Sequence, residues 1–523
     1  MGMRKHLSHI FCEGGFFVIV GTCLGACIHG IDGSLVDVEV DVAPGVPQFS
    51  IVGLPDVAVR ESVDRVRAAL KNEQFRFPMG RVTVNLAPAD VRKEGAALDV
   101  AIAVGILRTT GQWDDAGDAV FIGELSLRGE VRPVCGVLPM LLAARNRGVH
   151  TAYVPEANEA EAMLVTNMRI VSLRTLRDVF CPYRTVVGDG VQVQEEQPLD
   201  CGDYGEVQGL HTVKRAIVIA VAGNHHLLLI GPPGAGKTML MRRLPSVLPP
   251  LEEDEALDVM RISSALGIDP LGRRRRPFRM PHHTISAQGL VGGGSKPSLG
   301  EASMAHRGVL FLDECAEYRR STLDCLRQPL EEGCITIARV RATVTFPTQF
   351  MLAATMNPCP CGYDGYEDRT RICTCTERMK RKYIGHLSGP MLDRLDMHID
   401  VPRLRSHDVR RPIVTRTSAE MKADIVRAQS FGYARNAAYG VRANAHIPSH
   451  ILPIVCPLSD AVREVLLQAM ETMGLSPRAH DRLIKIARTI ADIEGSAHID
   501  VPHMQEALFT RALDRRLGQL HAT

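Results

Sequence analysis

The chain has 523 residues, too many for one hydrophobic core and enough for about three domains. Hydrophobic residues make up 45% and charged residues 23%, the balance of a water-soluble globular protein. A net charge of +2 excludes nucleic-acid binding by bulk charge and leaves it to local basic patches; the 14 scattered cysteines exclude a small disulfide scaffold and read as reduced thiols in a cytoplasmic protein.

Near the start, "FFVIVGTCLGAC" follows Arg4 and Lys5, and "LGAC" at 24–27 imitates a lipoprotein cleavage site. Glu13, Gly14 and Gly15 interrupt the approach, and His29 and Asp32 end the run, which is too short to span a membrane as a helix. The stretch reads as a buried strand after an N-terminal extension of residues 1–17, with a signal peptide as the competing reading; no other segment suits a membrane. "LVDVEVDVA" (35–43) alternates as a strand does, and "AVRESVDRVRAALKN" is helical, with Val59, Val63, Val66, Ala69 and Leu70 on one side. "RVTVNLAP" reads as another strand and "GAALDVAIAVGILRTTG" as a buried helix.

Between those last two segments lies "ADVRKEGAALDV" (89–100), which resembles the loop that carries the serine of Lon-type proteases. Lys93, Glu94 and Gly95 keep the lead-in, but Ala96 and Ala97 stand where the serine is due. The partner lysine of that family would fall in "GELSLRGEVRPVCGVLPMLLAARNRGV", where Leu138 takes its place. A serine nucleophile needs an amine or another base to activate it, so the resemblance implies a Lon-protease-like α+β domain over 18–185 without proteolysis.

Residues 186–207 are polar and Gly-rich and read as a linker. A nucleotide-binding pattern then occupies 208–402. The apolar run at 227–230 enters Gly231-Pro232-Pro233-Gly234-Ala235-Gly236-Lys237-Thr238, and a helix follows. Such a loop turns backbone N–H groups toward phosphate, brings the Lys237 ammonium to the β- and γ-phosphates, and offers the Thr238 hydroxyl to Mg²⁺. A second apolar run, 309–312, ends in Asp313 and Glu314, an acid to hold Mg²⁺ through water and an acid to polarise the attacking water. A third, "QFMLAATMN", ends in Asn357, a polar tip suited to orient that water. Residues 403–523 read as helical. "SPRAHDRLIKIARTIADIEG" shows it best, with Ser476 as N-cap, Pro477 at the first helical position, and Leu483, Ile486, Ala487, Ile490 and Ile493 in one stripe. Arg394, between two acids, fits either a neighbour's γ-phosphate or a surface ion pair, and Arg478 opens that helix, where a surface ion pair is the plain reading.

"RPFRMPHHTISAQGLVGGG", "GVLFLDE", "RQPLEEG", "MNPCPCG" and "SGPMLDRLDMHIDVP" resemble the magnesium-chelatase-like AAA+ ATPases of the ComM/YifB family over about residues 18 to 515. The resemblance implies an α/β AAA+ core with inserts at helix 2 and before sensor 1, a helical lid, and a homo-hexameric ring using ATP and Mg²⁺ between subunits. It implies sensor 1 at Asn357, an arginine finger at Arg394 and sensor 2 at Arg478. The departures are the residues before 17 and Cys315-Ala316, where Leu-Pro is usual.

"LGRRRRPFR" places Arg273, Arg274, Arg275 and Arg276 before the helix-2 insert, and "CITIARVRATVTFP" reads as a hairpin with Arg339 and Arg341 near its tip. These arginines fit either phosphate contacts in a ring pore or a solvated basic surface. The ComM-like resemblance implies a motor on single-stranded or branched DNA, a helicase or branch-migration enzyme of natural transformation. A chelatase-type motor and a protein-remodelling ATPase stay open as alternatives. Cys359, Cys361, Cys373 and Cys375 form two Cys-x-Cys pairs eleven residues apart, the ligands of a structural Zn²⁺ or four reduced thiols.

Overall fold

In the computed structural model, the described residues are 21–89, 92–113, 117–190, 201–268, 275–294, 298–339, 342–366, 372–403 and 415–511. Arg273, Arg274, Arg341 and the N-terminal extension fall outside them. The chain divides into two units, residues 1–195 with 252–274, and residues 196–251 with 275–523.

The first unit is built on an eight-stranded mixed sheet. Its strands are β1 (Gly21–His29), β2 (Asp32–Ala43), β3 (Gln48–Val52), β4 (Arg81–Ala87), β5 (Ala119–Phe121), β8 (Thr151–Pro155), β9 (Arg169–Leu173) and β10 (Thr185–Val187), in the order β10-β9-β8-β5-β1-β2-β4-β3. Two short strands, β6 (Glu124–Leu125) and β7 (Val131–Arg132), pair separately. The alternation expected at 35–43 is present in β2: Val36, Val38 and Val40 are fully buried while the acids between them are not. Helix α1 (Val57–Asn72) starts at Asp56, whose carboxylate accepts the Val59 N–H at 2.8 Å. Its buried face is Val59, Ser62, Val66, Ala69 and Leu70, with Ser62 buried where Val63 was expected. The cause is Asp99 at the start of α2 (Asp99–Thr109): its carboxylate is fully buried, and Ser62 Oγ and Arg65 Nε, the latter at 2.6 Å, donate to it. Ala97 and Leu138 are both buried, the latter on α3 (Val137–Asn146).

Residues 252–274 lie in sequence within the nucleotide-binding segment, yet the helix Glu253–Ala265 packs on α3. The Gly136 N–H donates to Ser264 O at 3.0 Å, Ser264 Oγ donates to Glu161, and Arg261 pairs with Asp32.

The second unit holds a five-stranded parallel sheet of β11 (Leu227–Ile230), β12 (Phe278–Arg279), β13 (Val309–Leu312), β16 (Met351–Met356) and β17 (Met397–Asp400), in the order β12-β13-β16-β11-β17. The central strands are buried along their whole length and apolar except for Thr355 on β16, because a parallel sheet is covered on both faces. Strands β14 (Cys334–Arg339) and β15 (Ala342–Pro347) form a separate hairpin. Helices α4 (His211–Gly223), α6 (Ser418–Asn436), α7 (Asp460–Met473), α8 (Pro477–Glu494) and α9 (Val501–Phe509) complete the core, with α5 (Lys237–Arg242) after the Gly-rich loop. In α8, Ser476 accepts the Ala479 N–H, Pro477 is the first residue, and all five stripe residues are buried. Residues 201–207, at the end of the segment read as linker, are built into this unit. Tyr204 is fully buried, its hydroxyl donates to Leu240 O at 2.6 Å, and Lys214 Nζ donates to Tyr204 O and Val207 O at 2.7 Å.

Candidate functional site

The strand order decides which residues meet. β16 lies between β11 and β13, all three parallel, so their C-terminal ends form one rim. The Gly-rich loop leaves β11, Asp313 and Glu314 leave β13, and Asn357 leaves β16. Gly236 adopts a left-handed φ of +86° immediately before α5, the turn the loop needs to aim its N–H groups at one point.

Lys237 is only 8% exposed. Its ammonium donates to Gly231 O at 2.7 Å, Pro232 O at 3.0 Å and Asn357 Oδ1 at 3.1 Å. All three acceptors are neutral, so contact does not cancel the charge. Burial lowers the Lys237 pKa, and the nearby Asp313 and Glu314 carboxylates work in the opposite direction.

Thr238 Oγ1 donates to Asp313 Oδ1 at 3.0 Å, so a hydroxyl and a carboxylate that suit one Mg²⁺ shell are adjacent. Thr355, which the sequence reading missed, joins the acids. Its hydroxyl donates to Asp313 Oδ1 at 2.6 Å and accepts the Glu314 N–H at 3.0 Å. Glu314 sits in the left-handed region at φ +50°, rare for a residue with a side chain, and its own side chain is exposed. The strand period was the available signal: Thr355 precedes Asn357 by two residues, on the same side. An open cleft of about 530 Å³, lined by Cys201, Gly202, Thr238, Met239, Arg242 and Arg243, lies beside the start of α5.

Arg394 and Arg478 converge on one acid that sequence reasoning did not single out. Arg394 Nη2 pairs with Glu331 Oε2, and Arg478 Nη2 approaches Glu331 Oε1 at 3.6 Å. Arg394 is largely covered, at 11% side-chain exposure, whereas Arg478 is 61% exposed. Glu331 belongs to the "RQPLEEG" stretch, 63 residues before Arg394, too far in sequence for local pattern to pair them.

Of the basic patches, Arg276 is spent on backbone: it donates to Pro249 O at 3.2 Å, Arg307 O at 2.8 Å and Pro250 O at 3.4 Å. Arg275 is partly buried, and Arg279 forms a two-pronged pair with Glu301 at 2.7 and 2.9 Å. Arg339 is exposed at the end of β14 and donates to Gly294 O at 3.2 Å. The hairpin end and the "VGGG" loop therefore meet.

Three family models cover this architecture in turn: "Subunit ChlI of Mg-chelatase" over residues 38–158, "Magnesium chelatase, subunit ChlI" over 203–409, and "Magnesium chelatase, subunit ChlI C-terminal" over 415–511. The chain is 40% identical to the competence protein ComM of Haemophilus influenzae over 504 residues, covering 94% of this chain and 97% of that one. The chain belongs to the magnesium-chelatase-like ComM/YifB family. YifB of Escherichia coli is 38% identical over the same number of residues, with the same coverage. The first unit is also similar to the peroxisomal Lon protease homolog 2 of Caenorhabditis elegans, 25% identical over 169 residues, 30% of this chain and 22% of that one. For a ComM/YifB chain, membership of a magnesium-chelatase-type AAA ATPase family implies hydrolysis of ATP with Mg²⁺, and the rim of β11, β13 and β16 carries groups that fit both. Among the described residues, no helix is long and apolar enough to cross a membrane.

Proposed function

We propose that the chain is a ring-forming AAA+ ATPase, a homo-hexamer that turns ATP hydrolysis into remodelling of single-stranded or branched DNA, by strand separation or branch migration. The observation that carries the ATPase half is the joined set Lys237–Asn357 and Thr238–Asp313–Thr355 at one sheet rim. In this reading the loop from Gly231 to Gly236 wraps the phosphates, Lys237 exchanges its neutral acceptors for phosphate oxygens, and Thr238 and Asp313 hold Mg²⁺. Glu314 polarises the attacking water and Asn357 orients it. Mg²⁺ supplies charge neutralisation on the transferred phosphoryl group when bound.

Arg394 and Arg478 serve a neighbour's nucleotide. They act as a pair because one carboxylate, that of Glu331, gathers them both. Neutralisation of the transition-state charge by an arginine in trans is the kind of contribution that makes turnover depend on assembly.

The DNA half is carried by Arg339 at the hairpin end and its hydrogen bond to the "VGGG" loop, with Arg341 beside it in sequence. Arg273, Arg274 and Arg275 stay within the proposal as secondary phosphate ligands; Arg276 contributes less, because its guanidinium already serves three carbonyls. The similarity to a competence protein favours DNA over the alternatives, a chelatase-type motor and a protein remodeller. The first unit, with Ala97 and Leu138 at the dyad positions, acts as a non-proteolytic scaffold. The test is DNA affinity at several salt concentrations for wild type and the Arg339→Ala, Arg341→Ala double variant. For every phosphate that the variant no longer neutralises, the slope of log K against log salt should fall by about 0.7 to 0.9. An unchanged slope removes the hairpin from the DNA path. No DNA binding by the wild-type ring moves the function to protein remodelling.

A further inference from the structure

Four cysteines gather immediately after Asn357. Their sulfurs all lie within 4.8 Å of one another. Cys359 and Cys361 are 3.3 Å apart, Cys361 and Cys373 3.6 Å, and Cys359 and Cys373 3.8 Å. Four thiolates at about 2.3 Å from a zinc ion form a tetrahedron with edges of about 3.8 Å, which these separations approach. A disulfide needs its sulfurs at about 2.05 Å, far inside every one of these distances.

The same loop is fastened to the phosphate-binding loop. A Cβ added to Gly362 would lie 2.5 Å from Pro233 Cδ, so the Gly362 backbone packs on the Pro233 ring with no room for a side chain. The Tyr366 hydroxyl donates to Asp400 Oδ1 at 2.8 Å and lies 3.3 Å from Ile230 O, the residue before Gly231.

We propose that Cys359, Cys361, Cys373 and Cys375 bind one Zn²⁺ and that this knot clamps the loop after Asn357 against the phosphate-binding loop. Binding replaces four S–H bonds with four Zn–S bonds, releases the protons to solvent and changes no oxidation state. An all-thiolate tetrahedral set also accepts iron, so the metal is itself part of the test. The metal half stands without the ATPase reading; the clamp takes its purpose from it.

The full-length chain is purified under reducing conditions without chelator and its metals are counted. We expect about one zinc per chain, and less than about a tenth in Cys361→Ser and in Cys373→Ser. Cobalt added alone to metal-stripped wild type should produce the visible bands of tetrahedral thiolate coordination, a reading that does not depend on how the variants fold. Near-zero zinc in the wild type, iron in its place, or zinc that survives both substitutions overturns the site. For the clamp, hydrogen exchange of residues 231–238 is compared in zinc-loaded and zinc-stripped wild type, without nucleotide. Exchange should accelerate by about tenfold on stripping and return when zinc is added back. Equal exchange in both forms overturns the clamp. Neither readout uses ATP turnover, so a failure of the ATPase reading would show separately, as absence of hydrolysis by the zinc-loaded protein.

Discussion

Each of the two α/β units buries a lysine in a Gly-containing loop, and the two lysines have different company. Lys93 is fully buried and its ammonium donates to Pro88 O. Lys237 is nearly as buried and also donates to backbone carbonyls, those of Gly231 and Pro232. Ala96 and Ala97 follow Lys93 in sequence, and the Cys27 thiol lies near Lys93 and near the Glu94 and Asp56 carboxylates, with no serine among them. Near Lys237 are the amide of Asn357, a hydroxyl, two carboxylates, and a loop whose left-handed glycine aims N–H groups outward. A buried ammonium is therefore not a site by itself. It becomes one where other groups are placed to receive the charge it would help to move.

The sharpest way to break this comparison is to remove each lysine. Lys237→Ala should cut ATP turnover by at least about 100-fold, because the positive charge on the β- and γ-phosphates is lost. Lys93→Met, which keeps the stem and removes the charge, should leave turnover within about twofold, since Lys93 belongs to the other unit and its ammonium bonds Pro88 O rather than any group of the nucleotide rim. Steady-state ATPase of both proteins decides it, and equal losses would erase the distinction. Glu314→Gln should also lose about 100-fold or more in turnover while still binding ATP, measured by equilibrium binding beside hydrolysis, because the amide keeps the shape but cannot polarise water.

A smaller effect is expected at Thr355. Thr355→Val keeps the volume but leaves the Glu314 N–H without its partner and removes one of the two hydroxyls that donate to Asp313 Oδ1. Such unsatisfied groups cost about 1–3 kcal/mol, and we expect about tenfold slower turnover with ATP affinity little changed. Wild-type turnover would show that the left-handed turn at Glu314 holds without this hydroxyl. The smallest change in activity should come from the first unit. Ala97→Ser should yield no peptidase on unfolded protein substrates, because Leu138 offers no amine to a new hydroxyl. The buried hydroxyl should lower the melting temperature slightly, as a cost of about 1–3 kcal/mol or less implies. ATP-dependent cleavage traced to this unit would end the scaffold reading.

The strand, Gly-rich turn and helix at 227–242 were legible from the sequence because their parts are consecutive. A strand, six loop residues and a helix dictate their own geometry through local backbone conformation. Helix α8 was legible for the same reason: a capping serine, a proline at the first position and a stripe at helical spacing all act within a few turns. Ser62 was not, because its burial follows from Asp99, 37 residues away on another helix. Glu331 was not either, since the two arginines it holds lie 63 and 147 residues beyond it.

Sequence alone determined the period of each element, the glycines that turn the phosphate loop, the acids at the end of β13 and the absence of a serine at Ala97. These are properties of neighbouring residues and of side-chain chemistry. Tertiary structure alone decided that β16 lies between β11 and β13, and so that Thr355 bonds Asp313 and Asn357 meets Lys237. It also decided that the helix Glu253–Ala265 belongs with the first unit, although in sequence it lies within the nucleotide-binding segment. The physical reason is common to both. Strand order and helix docking are chosen by burial of apolar faces drawn from the whole chain, and no short window contains both partners of such a pairing.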